Sequence, residues 1–276
     1  MELLNSEFDV FICGSDQVWA PLSNEWYTFP HTSSYFLGFT DKKKISYAAS
    51  FGVSNIPESY YAEISPYLER FDALSVREHS VSKLLSQRLK RNVLTVVDPT
   101  LLFSGSQWIN LLGLKTTESN YILSYLLGES SDNRKRVTAF SRHFNLPLRT
   151  VPYIGEYTKA DRYFGDIQLV GITPQEFLMQ IYNASVVITD SFHCAVFSIL
   201  FRKEFAIIKR TEDYANNSMN GRLYDLLTSI GLVDRLVTKE NTLDIVLNKR
   251  IPYDLVDLQL NKLKKESTEW LLNVLI

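Results

Sequence analysis

The sequence predicts an α/β fold built on mainly parallel sheets. Short apolar runs alternate with segments in which apolar residues recur at helical spacing, and this alternation continues through most of the chain. Strands that alternate with helices are typical of parallel sheets with helices on both faces. Hydrophobic residues make up 45% of the 276 residues, a composition that supplies a sizeable core and excludes a disordered chain.

The first half of the chain contains several predicted strands and helices. Each strand is a short apolar or β-branched run, and residues that favour turns follow it: Gly14 ends the first strand and Asp98-Pro99 follows the last. The predicted strands are residues 8–13, 44–49, 73–76 and 93–97, and the predicted helices are residues 58–71 and 78–89.

The second half repeats this alternation. Its strongest local signal is a helix start, where Thr173 is the expected N-cap, Pro174 the first helical residue and Glu176 the partner that completes a capping box. The predicted strands are residues 120–127, 148–153, 186–189 and 205–208, and the predicted helices are residues 132–144, 174–184, 222–230 and a helix that opens at residue 191.

The length of the chain suits one large domain or two modest ones. Residues 102–120 include Ser-Gly-Ser and Thr-Thr-Glu-Ser, which are typical of linkers, and we place a domain boundary there. We therefore predict a first domain over residues 1–105, a second over residues 106–253 and a helical tail over residues 254–276.

Composition argues against several classes of protein. The formal net charge is −2, so no overall positive field attracts nucleic acid. Cys13 and Cys194 form no Cys-x-x-Cys pair, which argues against a zinc site or a disulfide framework and predicts two small buried residues. There is no N-terminal targeting pattern and no apolar stretch near the roughly 20 residues of a membrane helix. We expect a cytoplasmic protein that needs neither a metal nor a cofactor.

The most informative segment follows the strand of residues 186–189. Asp190 and Ser191 end that strand and open a helix, and His193 lies in the first turn. Ligands of open α/β sheets bind outside the carboxyl ends of the strands, and a helix N-terminus attracts anions. The segment thus predicts a phosphate or carboxylate site that His193 faces. The alternative is that Asp190 and Ser191 only cap the helix and His193 lies in the core.

A second candidate segment follows the first predicted strand. Gly14 would let the backbone approach a ligand, and Ser15 adds a hydroxyl to the turn. Asp16 and Gln17 can bind sugar hydroxyls, and Trp19 can stack on a sugar ring or a phosphate ester. The alternative is a tight turn with a buried tryptophan.

Several cations also follow predicted strand ends. The guanidinium of Arg77 can bind a carboxylate or phosphate with two parallel hydrogen bonds, or it can pair with Glu78 or with an acid on a helix. Lys209 and Arg210 follow the last predicted strand, and Arg222 lies further along the chain. These three are either anion ligands or solvated surface charges.

Five motifs, taken in order, carry a resemblance to a known family. They are Gly-Ser-Asp-Gln-Val-Trp from residue 14, Ile-Ser-Tyr-Ala-Ala-Ser-Phe-Gly from residue 45, Ser-Val-Arg-Glu from residue 75, Asp-Pro-Thr-Leu-Leu from residue 98 and Thr-Asp-Ser-Phe-His-Cys-Ala-Val-Phe-Ser-Ile-Leu from residue 189. Their order resembles the polysaccharide pyruvyl transferase family over residues 8–235, and the first and last motifs are the most specific.

The resemblance implies a GT-B-like fold, in which two Rossmann-like domains with mainly parallel sheets face each other across a cleft. It also implies an enzyme that moves pyruvate from phosphoenolpyruvate onto a sugar of a cell-surface polysaccharide or its precursor. By this resemblance His193 and Arg77 are donor-site residues. Together with the segments described above, we take His193, Arg77 and Asp190 as the catalytic residues. We take as substrate-binding residues Gly14, Ser15, Asp16, Gln17, Trp19, Ser191, Phe192, Lys209, Arg210 and Arg222.

Two other functions stay open at this point. One is a nucleotide-sugar-dependent GT-B glycosyltransferase, because one fold hosts many activities. The other is an inactive relative that binds glycans. For the transferase we expect Ser191, His193 and Arg77 to converge on one cleft, with positive charge from Lys209, Arg210 or Arg222.

The sequence departs from the family at its start. Many relatives carry another strand and an Asn-Tyr-Gly-type loop before the first motif, whereas this sequence reaches the strand of residues 8–13 almost at once. We therefore expect an exposed sheet edge beside that strand. Exposed edges tend to pair with another chain, which favours a homodimer.

Overall fold

The computed structural model describes residues 3–21, 32–53, 55–117, 120–153, 158–210 and 220–276. The chain divides into two compact units. The first comprises Met1–Leu102, Asn216–Leu226 and Leu258–Ile276, and the second comprises Phe103–Ala215 and Leu227–Asp257. Each unit contains a sheet whose strands are all parallel, so the predicted α/β fold with parallel sheets is confirmed.

The sheet of the first unit has four strands in the part of the chain that the structure describes, in the order β1-β2-β3-β4. The strands are β1 (Val10–Cys13), β2 (Lys43–Ala49), β3 (Ala73–Val76) and β4 (Val93–Thr95). The helices in the described part of Met1–Leu102 are α1 (Leu4–Glu7), α2 (Thr32–Tyr35), α3 (Glu58–Leu68) and α4 (His79–Leu89). Strand β2 is buried along nearly its whole length, as expected for a parallel strand with neighbours on both sides and covered faces.

Aromatic side chains dominate the core of the first unit. Trp19 is fully buried and stacks on Phe36, with ring centroids 4.9 Å apart and an interplanar angle of 7°. Phe51 and Phe71 meet the indole edge-on at 5.6 and 5.5 Å. The indole N–H donates to the carbonyl of Tyr35 at 3.1 Å, so the one polar atom of this side chain is paired.

Strand β1 lies at an edge of the first sheet. Within the described ranges it pairs with β2 alone, and the side chain of Ile12 on it is exposed. An unpaired row of backbone groups at a sheet edge can template pairing with another chain. The expected edge is thus present among these residues, and the homodimer stays a prediction.

The second sheet has the strand order β7-β6-β5-β8-β9 over the residues described. Its strands are β5 (Ile122–Tyr125), β6 (Leu148–Thr150), β7 (Ile167–Gln168), β8 (Val186–Thr189) and β9 (Glu204–Ile207). The remaining helices are α5 (Gly105–Leu112), α6 (Ser131–Phe144), α7 (Pro174–Asn183), α8 (Phe192–Leu200), α9 (Gly221–Ser229), α10 (Leu243–Asn248) and α11 (Tyr253–Leu275). Helix α8 is buried along most of its length, which explains why apolar residues occupy every side of it.

Helix boundaries agree with the sequence where a cap signals them. The predicted capping box forms: the Thr173 hydroxyl accepts from the N–H of Glu176, and the Glu176 carboxylate accepts from the N–H of Thr173. The expected tail helix is α11. Residues 105–112 are not a linker, however. They form α5, because Ser104 is the N-cap of a second capping box with Gln107.

Residues 220–226 belong to the first unit, although the sequence analysis assigned them to the second domain. The physical reason is an ion pair and a hydrogen bond. Arg222 lies 3.6 Å from Asp16, and Asp225 accepts from the backbone N–H of His79 at 2.9 Å. No helix in the part of the chain that the structure describes is long and apolar enough to cross a membrane.

We predict that Trp19→Ala lowers the free energy of unfolding by about 3–5 kcal/mol, because it opens a cavity among Phe36, Phe51 and Phe71. Urea titration followed by circular dichroism measures the change. The control is Leu258→Ala, at an exposed position of α11 in the same unit, where we expect a small change. Equal effects of the two substitutions would contradict the placement of Trp19.

Candidate functional site

The strands of the first sheet lead into polar residues that bind one another. We call Ser15, Asp16, Ser50, Arg77, Glu78, Asp98 and Arg222 the strand-end cluster. Ser15 and Asp16 follow β1, Ser50 follows β2, Arg77 and Glu78 follow β3, and Asp98 follows β4. Parallel strands bring their carboxyl ends to one edge, where ligands of open α/β sheets bind.

Arg77 is the centre of the cluster. Its side chain is buried, and its Nη1 donates to Oδ2 of Asp98 at 2.6 Å while its Nη2 donates to Oδ1 of Asp16 at 3.0 Å. Asp98 is also buried, and it accepts from the backbone and hydroxyl of Thr100 at 3.0 and 2.7 Å. The guanidinium thus pairs with carboxylates of its own unit.

Asp16 is the exposed member of the cluster. Its side chain is 56% exposed, whereas that of Arg77 is 4% exposed. Its backbone has φ of +58°, a left-handed conformation that aspartate tolerates better than most residues. Besides Arg77 it lies 3.6 Å from Arg222. A ligand that approaches the two arginines therefore meets Asp16 as their accessible partner.

Glu78 is the least exposed acid of the cluster, at 1%. Its Oε1 accepts from the hydroxyl of Ser50, which also accepts from the N–H of Gly52 at 3.0 Å. Burial raises the pKa of Glu78, and the charges of Arg77 and Arg222 and the hydrogen bond from Ser50 oppose this shift without cancelling it.

One of the predicted ligand-binding residues of the first unit has a structural role instead. Trp19 is fully buried in the aromatic core and cannot stack on a sugar. Gly14 lies against the neighbouring strand: a Cβ there would lie 2.0 Å from the carbonyl oxygen of Tyr47, and φ is +132°. Ser15 donates to the carbonyl of Ala48 at 2.8 Å, and the Gln17 side chain lies against Gly52.

In the second unit, Asp190 fastens one strand-end loop to another. Its carboxylate accepts from the backbone N–H groups of Leu127 and Gly128, at 2.7 and 2.8 Å, just after β5. Burial raises the pKa of Asp190, while Arg210 and the two N–H groups act in the opposite direction. The contacts of Asp190 therefore position the loop after β5.

The next residues open α8. Ser191 is its N-cap and accepts from the N–H of Cys194 at 3.5 Å, as the capping alternative predicts. Phe192 is buried, but His193 in the first helical turn is only half-buried, and its ring meets that of Phe192 edge-on at 5.4 Å. His193 is therefore not enclosed in the core. The helix N-terminus that carries it has the partial positive charge that anions prefer.

Arg210 brings positive charge to the same strand ends. Its Nη2 lies 3.8 Å from Oδ1 of Asp190 and donates to the Asp190 carbonyl at 3.5 Å. Its Cγ passes so close to Gly128 that a Cβ there would lie 2.7 Å away. Lys209 is half-buried, and its carbonyl accepts from the Asn133 side chain at 3.1 Å.

The predicted site residues therefore lie in two groups. Arg77, Asp16 and Arg222 are together in the first unit, and Asp190, His193, Ser191 and Arg210 follow the strands of the second. The convergence of both groups on one cleft stays a prediction. Over the described ranges, no three His, Cys, Asp or Glu side chains are grouped to hold a metal ion.

Asp98 and Ser50 were not among the residues predicted from the sequence, and Glu78 was predicted only as a possible partner of Arg77. Each belongs to a motif that was used for the family resemblance, and Asp98 and Ser50 each follow a predicted strand, as Arg77 does. The rule that selected Arg77 would have selected them. Acids and serines near strand ends are common, however, and only the contacts separate these from surface residues.

We predict that Arg77→Ala destabilises the protein by about 3–5 kcal/mol, because it leaves the buried carboxylate of Asp98 without its cation. The free energy of unfolding in urea measures this effect. Arg70→Ala is the matched control, since Arg70 pairs with Asp41 at the surface, where a pair contributes about 0–1 kcal/mol. A loss at Arg77 no larger than that at Arg70 would contradict the described pairing.

Asp190→Asn should destabilise the protein by about 1–3 kcal/mol, because its amide can accept from only one of the N–H groups of Leu127 and Gly128. Differential scanning calorimetry measures the change. Asp132→Asn, at an exposed position in the first turn of α6, is the control and should be nearly neutral. If both variants melt alike, Asp190 does not hold the loop.

Comparison with known proteins finds solved structures with a similar fold. A UDP-GlcNAc 2-epimerase from Methanocaldococcus jannaschii, solved with UDP-GlcNAc and UDP, matches with a TM-score of 0.55 and 14% identity over 99% of this chain and 77% of that chain. Another structure of the enzyme from that organism matches with a TM-score of 0.54 and 12% identity, over 94% of this chain and 72% of that one.

These likenesses establish a fold of GT-B type. A search of curated proteins finds no match. The sequence model of one family, polysaccharide pyruvyl transferase, matches residues 2–211, which include the strand-end residues of both sheets up to Arg210. The chain belongs to the polysaccharide pyruvyl transferase family.

Proposed function

We propose that this protein transfers the pyruvyl group of phosphoenolpyruvate onto two hydroxyl groups of a sugar in a polysaccharide or its precursor. The observation that carries the proposal is the opening of α8. The half-buried His193 lies in the first turn of a helix that follows a parallel strand, within the residues that the family model matches. Such a helix start favours a ligand with the charge of a phosphate or carboxylate.

The charges around each group of strand ends support an anionic donor. Phosphoenolpyruvate carries a phosphate and a carboxylate. In the second unit, Arg210 lies beside the α8 opening, and in the first unit Arg77 and Arg222 share Asp16 as their exposed partner. Arginine suits these ligands because its planar fork matches both groups.

The reaction balances with these two substrates alone. One sugar hydroxyl adds to C2 of phosphoenolpyruvate while the methylene carbon gains a proton and becomes a methyl group. The second hydroxyl then forms the other C2–O bond as the C–O bond to phosphate breaks. The two hydroxyl groups lose two protons in all. The gain of one proton by the methylene carbon balances the first, and the second leaves with phosphate. The product is a pyruvate ketal.

His193 is the residue to which we assign proton transfer at the methylene carbon. It is the histidine at the α8 opening, and histidine is the side chain that most often serves as a general acid or base. Asp190 keeps the loop after β5 in place beside it through two backbone N–H groups. In the first unit, we also assign an anionic ligand to Arg77, where it displaces the exposed Asp16.

Ligand-induced stabilisation separates this proposal from the other activities that the fold can carry. Phosphoenolpyruvate should raise the melting temperature in a concentration-dependent way, since a ligand stabilises the protein by RT ln(1 + [L]/Kd). UDP-sugars should leave it unchanged. Stabilisation by UDP-sugars alone would favour a glycosyltransferase, and no response to either would favour an inactive glycan-binding protein.

We predict that His193→Ala abolishes phosphoenolpyruvate-dependent transfer while it leaves the melting temperature nearly unchanged, because this half-buried side chain adds little to the core. Release of phosphate from phosphoenolpyruvate in the presence of an acceptor glycan measures activity. His143→Ala is the control: His143 lies exposed in the last turn of α6, so its loss should leave turnover intact. Turnover by His193→Ala near the wild-type rate would remove His193 as the proton donor.

A further inference from the structure

Glu78 has a property that the proposed reaction does not explain. Its side chain is 1% exposed, and Oε1 accepts from the hydroxyl of Ser50. Among the described residues no donor reaches Oε2. Buried carboxylates normally have hydrogen-bond donors on both oxygens, since an unpaired buried charge is costly.

The nearby cations do not supply the missing donor. The close hydrogen bonds of Arg77 go to Asp98 at 2.6 Å and to Asp16 at 3.0 Å, whereas its approach to Glu78 is 3.9 Å, which is longer than a hydrogen bond. Arg222 acts on Glu78 through its charge, and it forms an ion pair with Asp16 at 3.6 Å. Glu78 is thus the carboxyl group that the two arginines hold least directly.

The net charge of the strand-end cluster depends on whether the carboxyl group of Glu78 is protonated. Arg77 and Arg222 contribute two positive charges, and Asp16, Glu78 and Asp98 are three carboxyl groups. With Glu78 ionised the cluster carries an excess negative charge that repels an anion. With Glu78 neutral the two arginines are balanced by the two aspartates, and displacement of the exposed Asp16 leaves a net positive charge for a ligand.

We propose that Glu78 is a positioning residue that acts in its neutral, protonated form, in which it keeps Arg77 and Arg222 available to an anionic ligand. The inference rests on the proposed function, because it takes phosphoenolpyruvate as that ligand. It makes binding dependent on pH: the protein binds phosphoenolpyruvate while Glu78 holds its proton and loses affinity as that proton leaves.

His79 and Asp225 also lie near Glu78 and could contribute to a dependence of binding on pH. His79 follows it in the chain, with Nδ1 3.5 Å from the hydroxyl of Thr95, and Asp225 accepts from the backbone N–H of His79 at 2.9 Å. Burial raises the pKa of Asp225, so this group also titrates at higher pH than an ordinary aspartate. A test must therefore isolate Glu78 from its neighbours, which a neutral isostere does.

Glu78→Gln is that isostere, since glutamine imitates the protonated acid but does not titrate. Affinity for phosphoenolpyruvate is measured by calorimetry across a pH series for the wild type and the variant. Titrations common to both proteins cancel in the ratio of their affinities. We expect a ratio that stays level at low pH, and above the pKa of Glu78 the wild type should weaken relative to Glu78→Gln by up to tenfold per pH unit.

Glu58→Gln is the control for a change of charge alone, because Glu58 is an exposed glutamate of the same unit, paired with Arg88. The ratio of the affinities of Glu58→Gln and the wild type for phosphoenolpyruvate should not vary with pH. A level ratio for Glu78→Gln, with binding by the wild type intact, would overturn the role of Glu78 and leave the proposed function standing. Absence of binding by the wild type at every pH would overturn both.

Unfolding tests the protonation state without any ligand. Because the pKa of Glu78 is raised in the folded state, folded molecules keep the proton after unfolded ones have lost it. The wild type must therefore lose stability relative to Glu78→Gln as pH rises from the ordinary glutamate pKa to the folded one. A relative gain over that range would show that Glu78 is ionised in the folded protein and would overturn the proposal.

Discussion

The buried ion pair between Arg77 and Asp98 is the interaction on which the strand-end cluster depends. Its atoms lie 2.6 Å apart, and both side chains are almost completely buried. A buried charge is tolerated only when it is paired, so β3 and β4 must keep the register that brings these residues together. The pair adds little net stability by itself, but loss of either partner is costly. The other polar residues are arranged around it. Asp16 is its exposed neighbour, and the buried Glu78 lies 3.9 Å from the guanidinium of Arg77.

In the second unit, too, a buried charged residue after a strand is paired within the protein, but with different groups. There a carboxylate, Asp190, holds backbone N–H groups of the neighbouring loop, and Arg210 lies beside it. In both units a parallel sheet brings the polar residues that follow its strands to one edge, and these residues are already hydrogen-bonded or ion-paired with one another. A ligand in either unit thus enters a set of hydrogen bonds that already exists. This explains why the candidate catalytic groups are also structural ones, and why activity and stability must be measured together.

Much of the fold follows from the sequence. Strands β3 and β8 have the predicted bounds, and the capping box at Thr173 forms, because each depends on local residue pattern. Two predictions were wrong for a common reason: that the Ser-Gly-Ser at residues 104–106 belongs to a linker, and that Trp19 stacks on a ligand. Serine and glycine occur both in linkers and at helix starts, and a tryptophan beside a turn can face either solvent or core. Only the tertiary neighbours, Gln107 in one case and Phe36 in the other, decide between them. The pairing of Arg77 depends likewise on residues that lie far away in the chain, at positions 16 and 98.

Pyruvyl transfer by this chain is best tested by the reaction itself. Phosphorus NMR would follow phosphoenolpyruvate with and without a glycan acceptor, and mass spectrometry would examine the glycan. If the protein is a pyruvyl transferase, phosphate release requires the acceptor and equals the amount of ketal formed on it. Phosphate release without an acceptor, with free pyruvate as the product, would contradict it, and so would a glycan that stays unmodified while a UDP-sugar is consumed.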